Sequence, residues 1–169
     1  EMIAALKKNR EVRSIFLVTN GQEPAMLRQL ERKNALPTKL YVSVDAPDEE
    51  RFKKINKSLY KDGWKRLNKT LILLSRLKCR RVIRFTLIKG INDSEDLFPL
   101  YAKLFEKSRA DFIEVKGYMF LGASRNRLKF ENMPMHEYVR EWCERFAAQI
   151  PNYDTINEDY LSRIVLFRR

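Results

Sequence analysis

The sequence predicts an α/β fold in which parallel strands alternate with helices and form part of a (βα) barrel. Four short, nearly continuous apolar segments are separated by stretches with helical periodicity, which is the pattern of repeated βα units. Each apolar segment ends in a turn that is polar or contains glycine, and ligands bind at such strand ends in α/β folds. The chain holds only four such units and begins within a helical stretch. We therefore expect the C-terminal part of a larger barrel, whose first strands precede Glu1.

The individual elements follow from local residue patterns. Strands that are covered on both faces are nearly continuously apolar, and this pattern places four of them at residues 12–18, 40–45, 81–88 and 111–120. Amphipathic periodicity places helices at residues 2–10, 24–33, 49–55, 63–78, 95–108 and 135–150. Pro24 favours a helix start, and Asn92-Asp93-Ser94 is a capping sequence for the helix that follows it.

We expect residues 1–169 to form a single domain with two unequal parts. Residues 1–121 carry the barrel units, and residues 122–169 carry a basic loop, the last helix and two short C-terminal strands. Those strands are expected at residues 153–157 and 164–167, paired antiparallel around a turn.

The charge balance indicates a polyanionic partner. Lys and Arg number 34 against 22 acidic residues, which leaves a net charge of +12 and favours nucleic acid. The alternative is a lysine-rich surface of the kind found in heat-adapted proteins. No apolar run approaches the ~20 residues of a membrane helix, and the first residues do not read as a signal peptide. The two cysteines fit no metal or disulfide pattern, so we expect a cytoplasmic protein without a membrane partner.

Polar side chains recur on one face of three successive predicted strands. An unpaired buried charge is costly, so these groups should be paired or should face a wet cavity. One interpretation is that all of them point into one pocket at the carboxyl ends of the strands. The other is that Glu114 and Lys116 form an ion pair, or that the face is solvated. The residues are Ser43 and Asp45, Arg84 and Thr86, and Glu114 and Lys116.

The segment after the fourth strand mixes basic and aromatic side chains. Arg125, Arg127 and Lys129 precede Phe130, a combination that suits phosphate and base contacts, although a mobile solvated loop is an equal alternative. His136 is the only histidine, and no catalytic or metal-binding arrangement can be assembled around it. Neither a phosphate-binding glycine loop nor a dinucleotide fingerprint is present.

Taken together, the strand ends resemble those of radical S-adenosylmethionine (SAM) enzymes. More narrowly, they are similar to the tRNA 4-demethylwyosine synthases of wybutosine biosynthesis, and the resemblance extends over nearly the whole chain. The motifs that carry it are Thr19-Asn20-Gly21, Ser43-Val44-Asp45-Ala46-Pro47, Ile113-Glu114-Val115-Lys116-Gly117 and Asn132-Met133-Pro134-Met135-His136.

The resemblance implies a partial radical-SAM (βα)6 barrel and a lyase-type, tRNA-modifying enzyme. Such an enzyme condenses N1-methylguanosine-37 of tRNA(Phe) with carbons from pyruvate. It uses a 4Fe-4S cluster and an electron donor to cleave SAM reductively, and the resulting radical takes hydrogen from pyruvate.

The resemblance also implies roles for individual residues. Lys116 is the candidate for a Schiff base with pyruvate, and Glu114 is placed beside it as a second catalytic residue. The residues implied for SAM binding are Asn20, Ser43, Asp45, Arg84 and Thr86. The residues implied for tRNA binding are Arg125, Arg127, Lys129 and His136.

One family feature is absent from the sequence. The CxxxCxxC loop that holds the cluster does not occur, so we expect no metal ligand in this chain, cluster ligands before Glu1 and no activity from this chain alone. Two alternatives stay open: a basic RNA-binding α/β module without catalysis, and another radical-SAM enzyme that acts on a protein.

Overall fold

The computed structural model describes residues 2–169, which form a mixed α/β structure around one six-stranded sheet. The strands are β1 (Phe16–Thr19), β2 (Lys39–Ser43), β3 (Arg80–Leu87), β4 (Phe112–Gly117), β5 (Asp154–Asp159) and β6 (Ile164–Arg168). The helices are α1 (Met2–Lys8), α2 (Pro24–Arg32), α3 (Glu49–Asn56), α4 (Gly63–Leu74), α5 (Phe98–Ser108) and α6 (His136–Ala147). Short 3-10 turns lie at Glu95–Leu97, Gly122–Asn126 and Phe130–Asn132.

The strand order is β1-β2-β3-β4-β6-β5, and the first four strands are parallel. The helices between these strands make the crossovers that parallel pairing requires. Strand β6 returns antiparallel beside β4, and β5 pairs antiparallel with β6 at the edge. The predicted parallel sheet and the antiparallel C-terminal pair are both confirmed.

The predicted strand boundaries differ most at the first strand. It was expected from residue 12, but β1 begins at Phe16, because the preceding Ile15 amide donates to the Thr38 hydroxyl at 3.0 Å. The fourth strand was expected to reach residue 120 but ends at Gly117, where the chain turns towards the loop.

One face of the sheet is buried beneath the helices. Alternate residues of the central strands, including Val42, Phe85 and Val115, are fully inaccessible to solvent. Helix α6 adds Trp142 and Phe146, whose stacked rings have centroids 4.9 Å apart and join an aromatic cluster with Phe85. Burying one side chain of this size contributes about 2–3 kcal/mol, so this face holds the core.

The opposite face is polar along its centre and open. Phe16 and Val18 of β1 are 50% and 42% exposed, and Ser43, Arg84 and Lys116 are partly exposed. These residues share a face because parallel register places Ser43 beside Arg84 and Thr86 beside Lys116. None of the helices in residues 2–169 has the length and apolar composition needed to span a membrane.

Candidate functional site

A cavity of about 570 Å³ opens at the carboxyl ends of β2, β3 and β4. Its floor comes from strand-end residues, including Asp45, Thr86 and Tyr118. Helix α3 and the loop at residues 122–128 form its walls. A cavity of this size at the carboxyl edge of parallel strands is typical of a small-molecule site.

Asp45 is the acidic group at the floor of this cavity. Its Oδ1 accepts a hydrogen bond from the Thr86 backbone N–H at 2.9 Å. Asp45 is partly exposed as a residue, but its carboxyl is closely surrounded by protein, and this burial raises its pKa above the usual value. Hydrogen bonds from Thr86 and Asn56 and the charge of Arg84 act in the opposite direction.

Asn56, at the end of α3, leaves an acceptor atom unpaired in the cavity wall. Its Oδ1 is buried and has no hydrogen-bond partner in the described residues. A buried polar atom without a partner is costly, so this carbonyl oxygen suits a donor group supplied by a ligand. A polar residue at a helix end is common, so nothing in the sequence distinguishes Asn56 as a cavity residue.

Asn92 ties the strand ends together beneath the cavity. It is fully buried, and its Nδ2 donates to the backbone oxygens of Asp45 at 3.0 Å and Thr86 at 2.8 Å. Its Oδ1 accepts from the Ile88 amide at 2.7 Å. Within the predicted capping sequence Asn92-Asp93-Ser94, Ser94 is the residue that precedes the turn, and its side chain makes no capping hydrogen bond. Asn92 instead fixes the spacing of β2 and β3.

The sheet face leading away from the cavity carries three charged side chains from the predicted set. Arg84 Nε donates to Glu114 Oε1 at 2.8 Å, and the guanidinium lies 5.2 Å from the centre of the Tyr41 ring. Lys116, partly exposed, forms no hydrogen bond or ion pair through its ammonium group with any of residues 2–169. The interpretation that Glu114 pairs with Lys116 is therefore wrong, because Arg84 takes that carboxylate.

The structure thus divides the predicted polar pocket into two adjoining parts. Asp45 and Thr86 line the cavity, whereas Ser43, Arg84 and the β4 pair do not and lie along the open sheet face. Asn20 belongs to neither part. It is exposed after β1, and its Oδ1 accepts from the Gln22 amide at 3.1 Å, which is a turn-stabilising hydrogen bond.

The basic loop lies at the mouth of the cavity. Arg125, Arg127 and Lys129 are exposed, and Arg127 lines the cavity itself. The Tyr118 hydroxyl anchors the loop through a 2.8 Å hydrogen bond to the Ser124 hydroxyl. Phe130 is 66% exposed, so an aromatic face stands beside the three cations.

His136 does not lie with the other residues predicted to bind tRNA. It is only 6% exposed, and its Nε2 lies 2.9 Å from Glu158 Oε2 on β5. Direct contact of His136 with tRNA is therefore inconsistent with its position, and the structure assigns it to packing of α6 against the edge strand. Sequence could not reveal this, because the partner comes from the C-terminal hairpin.

The described residues contain no group of three or more His, Cys, Asp or Glu side chains that could hold a metal ion. Cys143 is buried in the core and Cys79 is half-buried, and burial raises the pKa of both thiols. Neither thiol belongs to a group of three candidate ligands, so the described residues offer no set that fits a thiolate-bound cluster.

Comparison with known proteins agrees with this geometry. The family described as wyosine base formation matches residues 107–169, which include β4, the basic loop and α6. An S-adenosyl-L-methionine-dependent tRNA 4-demethylwyosine synthase of Pyrococcus abyssi is 44% identical over 154 residues, covering 91% of this chain and 44% of that protein. Over this span the chain is similar to the tRNA 4-demethylwyosine synthases. The resemblance stated from the sequence is confirmed.

Other 4-demethylwyosine synthases agree with this relationship. The human enzyme, S-adenosyl-L-methionine-dependent tRNA 4-demethylwyosine synthase TYW1, is 40% identical over 90% of the chain, which spans 20% of that protein. The chain therefore spans less than half the length of these relatives.

Solved structures of TYW1 share the fold. One, described as TYW1 with a lysine-pyruvate adduct bound, has a TM-score of 0.84 and 30% identity, covering 99% of this chain and 50% of that chain. A structure of archaeal TYW1 has a TM-score of 0.76 and 26% identity over the same shares. The sheet and its helices thus have the same fold as the matching half of these TYW1 structures.

Proposed function

We propose that this chain forms part of a SAM-dependent, lyase-type 4-demethylwyosine synthase of wybutosine biosynthesis. The complete enzyme would condense N1-methylguanosine-37 of tRNA(Phe) with carbons from pyruvate. The observation that carries this proposal is the position of Lys116, whose ammonium group is unpaired on a polar face of the sheet. The fold of the chain matches that of TYW1 with a lysine-pyruvate adduct bound. The open face would then be part of the inner wall of a radical-SAM (βα)6 barrel.

The cavity supports the binding of SAM. Asp45 and the unpaired Asn56 Oδ1 supply acceptors for the ammonium and hydroxyl groups of that molecule, in a volume of about 570 Å³. Thr86 orients Asp45 through its backbone hydrogen bond, and Ser43 and Arg84 lie beside it on the sheet. When it is cleaved, SAM supplies a radical that abstracts hydrogen from substrate.

A 4Fe-4S cluster finds no fitting ligands in residues 2–169. We infer that the cluster of the complete enzyme is held by cysteines outside this sequence and receives electrons from a separate donor. This chain then contributes substrate and SAM binding, not cluster ligation. Anaerobic incubation of the chain with iron and sulfide should leave its visible absorbance unchanged, whereas formation of a stable cluster would contradict this division of roles.

Lys116 is proposed to activate pyruvate as an imine. Its unprotonated Nζ attacks the keto carbon, a C–N bond forms, and the carbonyl oxygen leaves as water after proton transfer. Atoms and charge balance without an oxidant, because amine and ketone yield imine and water. Glu114, two residues before Lys116 on the same face, holds Arg84 and so maintains the charge pattern around the amine.

The basic loop that follows β4 is proposed to bind tRNA. Arg125 and Arg127 form no ion pair within residues 2–169, so their charges are available to phosphate groups, and the ring of Phe130 can stack on a base. The Arg125→Gln/Arg127→Gln double variant should weaken tRNA binding and flatten its salt dependence by about two units of slope. Unchanged affinity and slope would remove the loop from the interface.

The experiment that tests the Lys116 assignment is reductive trapping. The chain is incubated with pyruvate and cyanoborohydride, and the labelled residue is located by peptide mass spectrometry. We expect the label at Lys116 and its loss in Lys116→Met. Lys39→Met is the matched control, because Lys39 is also partly exposed and lies on the same sheet face at the opposite end of β2.

Two outcomes would redirect the assignment. Equal labelling of Lys116→Met and the parent chain would show that Lys116 is not the reacting amine. A second candidate is a basic RNA-binding α/β module without catalysis, which the exposed Arg125 and Arg127 favour because they form no ion pair within residues 2–169. Salt-dependent tRNA binding without any pyruvate adduct would support that module.

A further inference from the structure

Exposed lysines recur at every fourth position from the end of α3 into α4. They form a lysine ridge, which consists of Lys57, Lys61, Lys65 and Lys69. These side chains make no ion pair and no hydrogen bond within residues 2–169. Lys65 and Lys69 are separated by a rise of about 6 Å on α4, and like charges at that spacing destabilise a helix slightly. Folding therefore does not account for the lysine ridge.

The acidic residues near the lysine ridge already have other partners. Three ion pairs of 2.6–2.8 Å use them, and each pair lies within one helix or at its start. The pairs are Lys53 with Glu49, Lys54 with Glu50, and Arg66 with Asp62. The positive charge of the ridge is thus left without a partner in this part of the chain, which favours binding of a polyanion.

The loop between α3 and α4 presents an apolar tip between two lysines of the ridge. Leu59 at this tip is 100% exposed. The loop is nevertheless well held, because the Tyr60 amide donates to Ser58 Oγ at 3.0 Å and the Arg66 guanidinium lies 4.1 Å from the centre of the Tyr60 ring. An apolar side chain held in this way between cations is suited to contact with a ribose or a base whose phosphates meet the lysines.

Lys57 connects the lysine ridge to the main cavity. Its φ of +44° lies in the left-handed region, where glycine is the usual residue after a helix and a lysine is less stable. Lys57 lines the main cavity and also a second cavity of about 260 Å³, which Lys61 and Trp64 line as well. The ridge therefore begins at the wall of the main cavity and continues from there along α4.

We propose that the lysine ridge binds the sugar–phosphate backbone of an RNA that also contacts the basic loop. Lys57 lines one wall of the cavity and Arg127 lines another, so a strand that crosses the mouth meets cations on both sides. A row of lysines fits a linear polyanion better than it fits a compact acidic protein or a flat anionic membrane. The proposal rests on the proposed function only for the identity of the RNA as tRNA.

The test is the salt dependence of tRNA binding, measured by fluorescence anisotropy with a labelled tRNA transcript. Lys61→Gln/Lys65→Gln should weaken binding and reduce the salt slope by about two units, since two phosphate contacts are lost. Lys61→Arg/Lys65→Arg keeps both charges and should keep the slope. Combining the glutamine substitutions with Arg125→Gln/Arg127→Gln should reduce the slope by about four units, because both surfaces contact the same RNA.

Lys33→Gln/Lys78→Gln is the matched control. Both lysines are exposed and form no ion pair within residues 2–169, and they lie near the amino ends of the strands, away from the cavity. This variant loses the same net charge as Lys61→Gln/Lys65→Gln but should leave the salt slope unchanged. Circular dichroism of each variant establishes that the fold is intact.

Two single variants separate RNA contact from folding. Lys57→Gly should increase stability in urea, because glycine tolerates the left-handed backbone, yet it should reduce the salt slope by about one unit. Leu59→Ser should weaken tRNA binding without changing the slope, because an apolar contact releases no counterion. A Lys57→Gly variant that gains stability and binds tRNA as the parent chain does would contradict the proposed contact.

The remaining outcomes distinguish this proposal from others. Unchanged slope in folded Lys61→Gln/Lys65→Gln, or an equal reduction in Lys33→Gln/Lys78→Gln, would overturn it. Loss of binding to phosphatidylglycerol vesicles with tRNA binding unchanged would overturn it in favour of a membrane surface. If the slope depends on the ridge but Lys116 forms no pyruvate adduct, the ridge stands and the assigned enzyme activity fails. If the adduct forms and the slope ignores the ridge, the reverse holds.

Discussion

Replacing Asn92 by alanine should destabilise the protein by about 3 kcal/mol. Asn92 is fully buried, and its side chain makes three hydrogen bonds of 2.7–3.0 Å to backbone groups at the ends of β2 and β3. Each such bond contributes about 1 kcal/mol net. Alanine also leaves the Ile88 amide and the backbone oxygens of Asp45 and Thr86 without these partners in a buried position.

The assay is urea unfolding followed by circular dichroism, with the free energy of unfolding extrapolated to water. Asn152→Ala is the control, because Asn152 is exposed and makes one 3.2 Å hydrogen bond to Glu106. Asn152→Ala should lower the free energy of unfolding by less than about 0.5 kcal/mol. If Asn92→Ala costs under about 1 kcal/mol with an unchanged slope in urea, the claim that Asn92 joins the strand ends is refuted.

Two further perturbations test the turn after β1 and the start of α3. Gly21 has φ +71°, and an added Cβ would approach Leu67 Cδ1 to 2.8 Å, so Gly21→Ala should lower the free energy of unfolding by about 3 kcal/mol. Asp48 accepts from the Arg51 amide at 2.8 Å, and Asp48→Ala should cost about 1 kcal/mol at pH 7. Although partial burial acts to raise the pKa of Asp48, hydrogen bonds and charge from Arg51 lower it below 3.8. This stabilisation is therefore present above pH 3.8 and is lost as the pH falls through the folded-state pKa. Urea unfolding measures both, at pH 7 for Gly21 and from pH 7 to 3 for Asp48.

Each of these predictions has a control within the chain. Gly122 has φ +57° with nothing within 4 Å of an added Cβ, so Gly122→Ala should cost only about 1 kcal/mol. If Gly21→Ala lowers the free energy of unfolding no more than Gly122→Ala does, the side chains around Gly21 accommodate the added Cβ without destabilising the protein. Asp48→Asn keeps an acceptor without the charge. If the difference between wild type and Asp48→Ala did not begin to shrink as the pH falls from 3.8 to 3, the charge of Asp48 would not be its source.

The sequence predicted the parallel sheet because its buried strands are marked locally. Residues 40–45 and 81–88 are rich in apolar residues, and β2 and β3 fall within a residue or two of them. The C-terminal antiparallel pair was also confirmed, although β5 extends to Asp159. The ends of the strands were less predictable. A strand ends where the neighbouring strand no longer forms backbone hydrogen bonds with it, and that neighbour is distant in sequence.

The candidate site was only partly predictable for the same reason. Alternation along a strand correctly placed Arg84 and Glu114 on one face, and the structure adds that these two residues pair with each other. The sequence did not reveal that Asn92 is buried beneath the strand ends or that Asn56 faces the cavity. Their roles depend on backbone groups contributed by other elements.

By itself, then, the sequence determined which segments are strands, which faces of them are polar, and the family they resemble. The tertiary structure alone decided which polar groups meet. Residues of β3 and β4 lie about 30 positions apart, yet register brings Arg84 to Glu114 and leaves Lys116 unpaired. Tertiary packing also buries His136 against the edge strand and leaves Arg127 at the mouth of the cavity. Pairing and burial are long-range properties, because they depend on which surfaces the folded chain brings into contact.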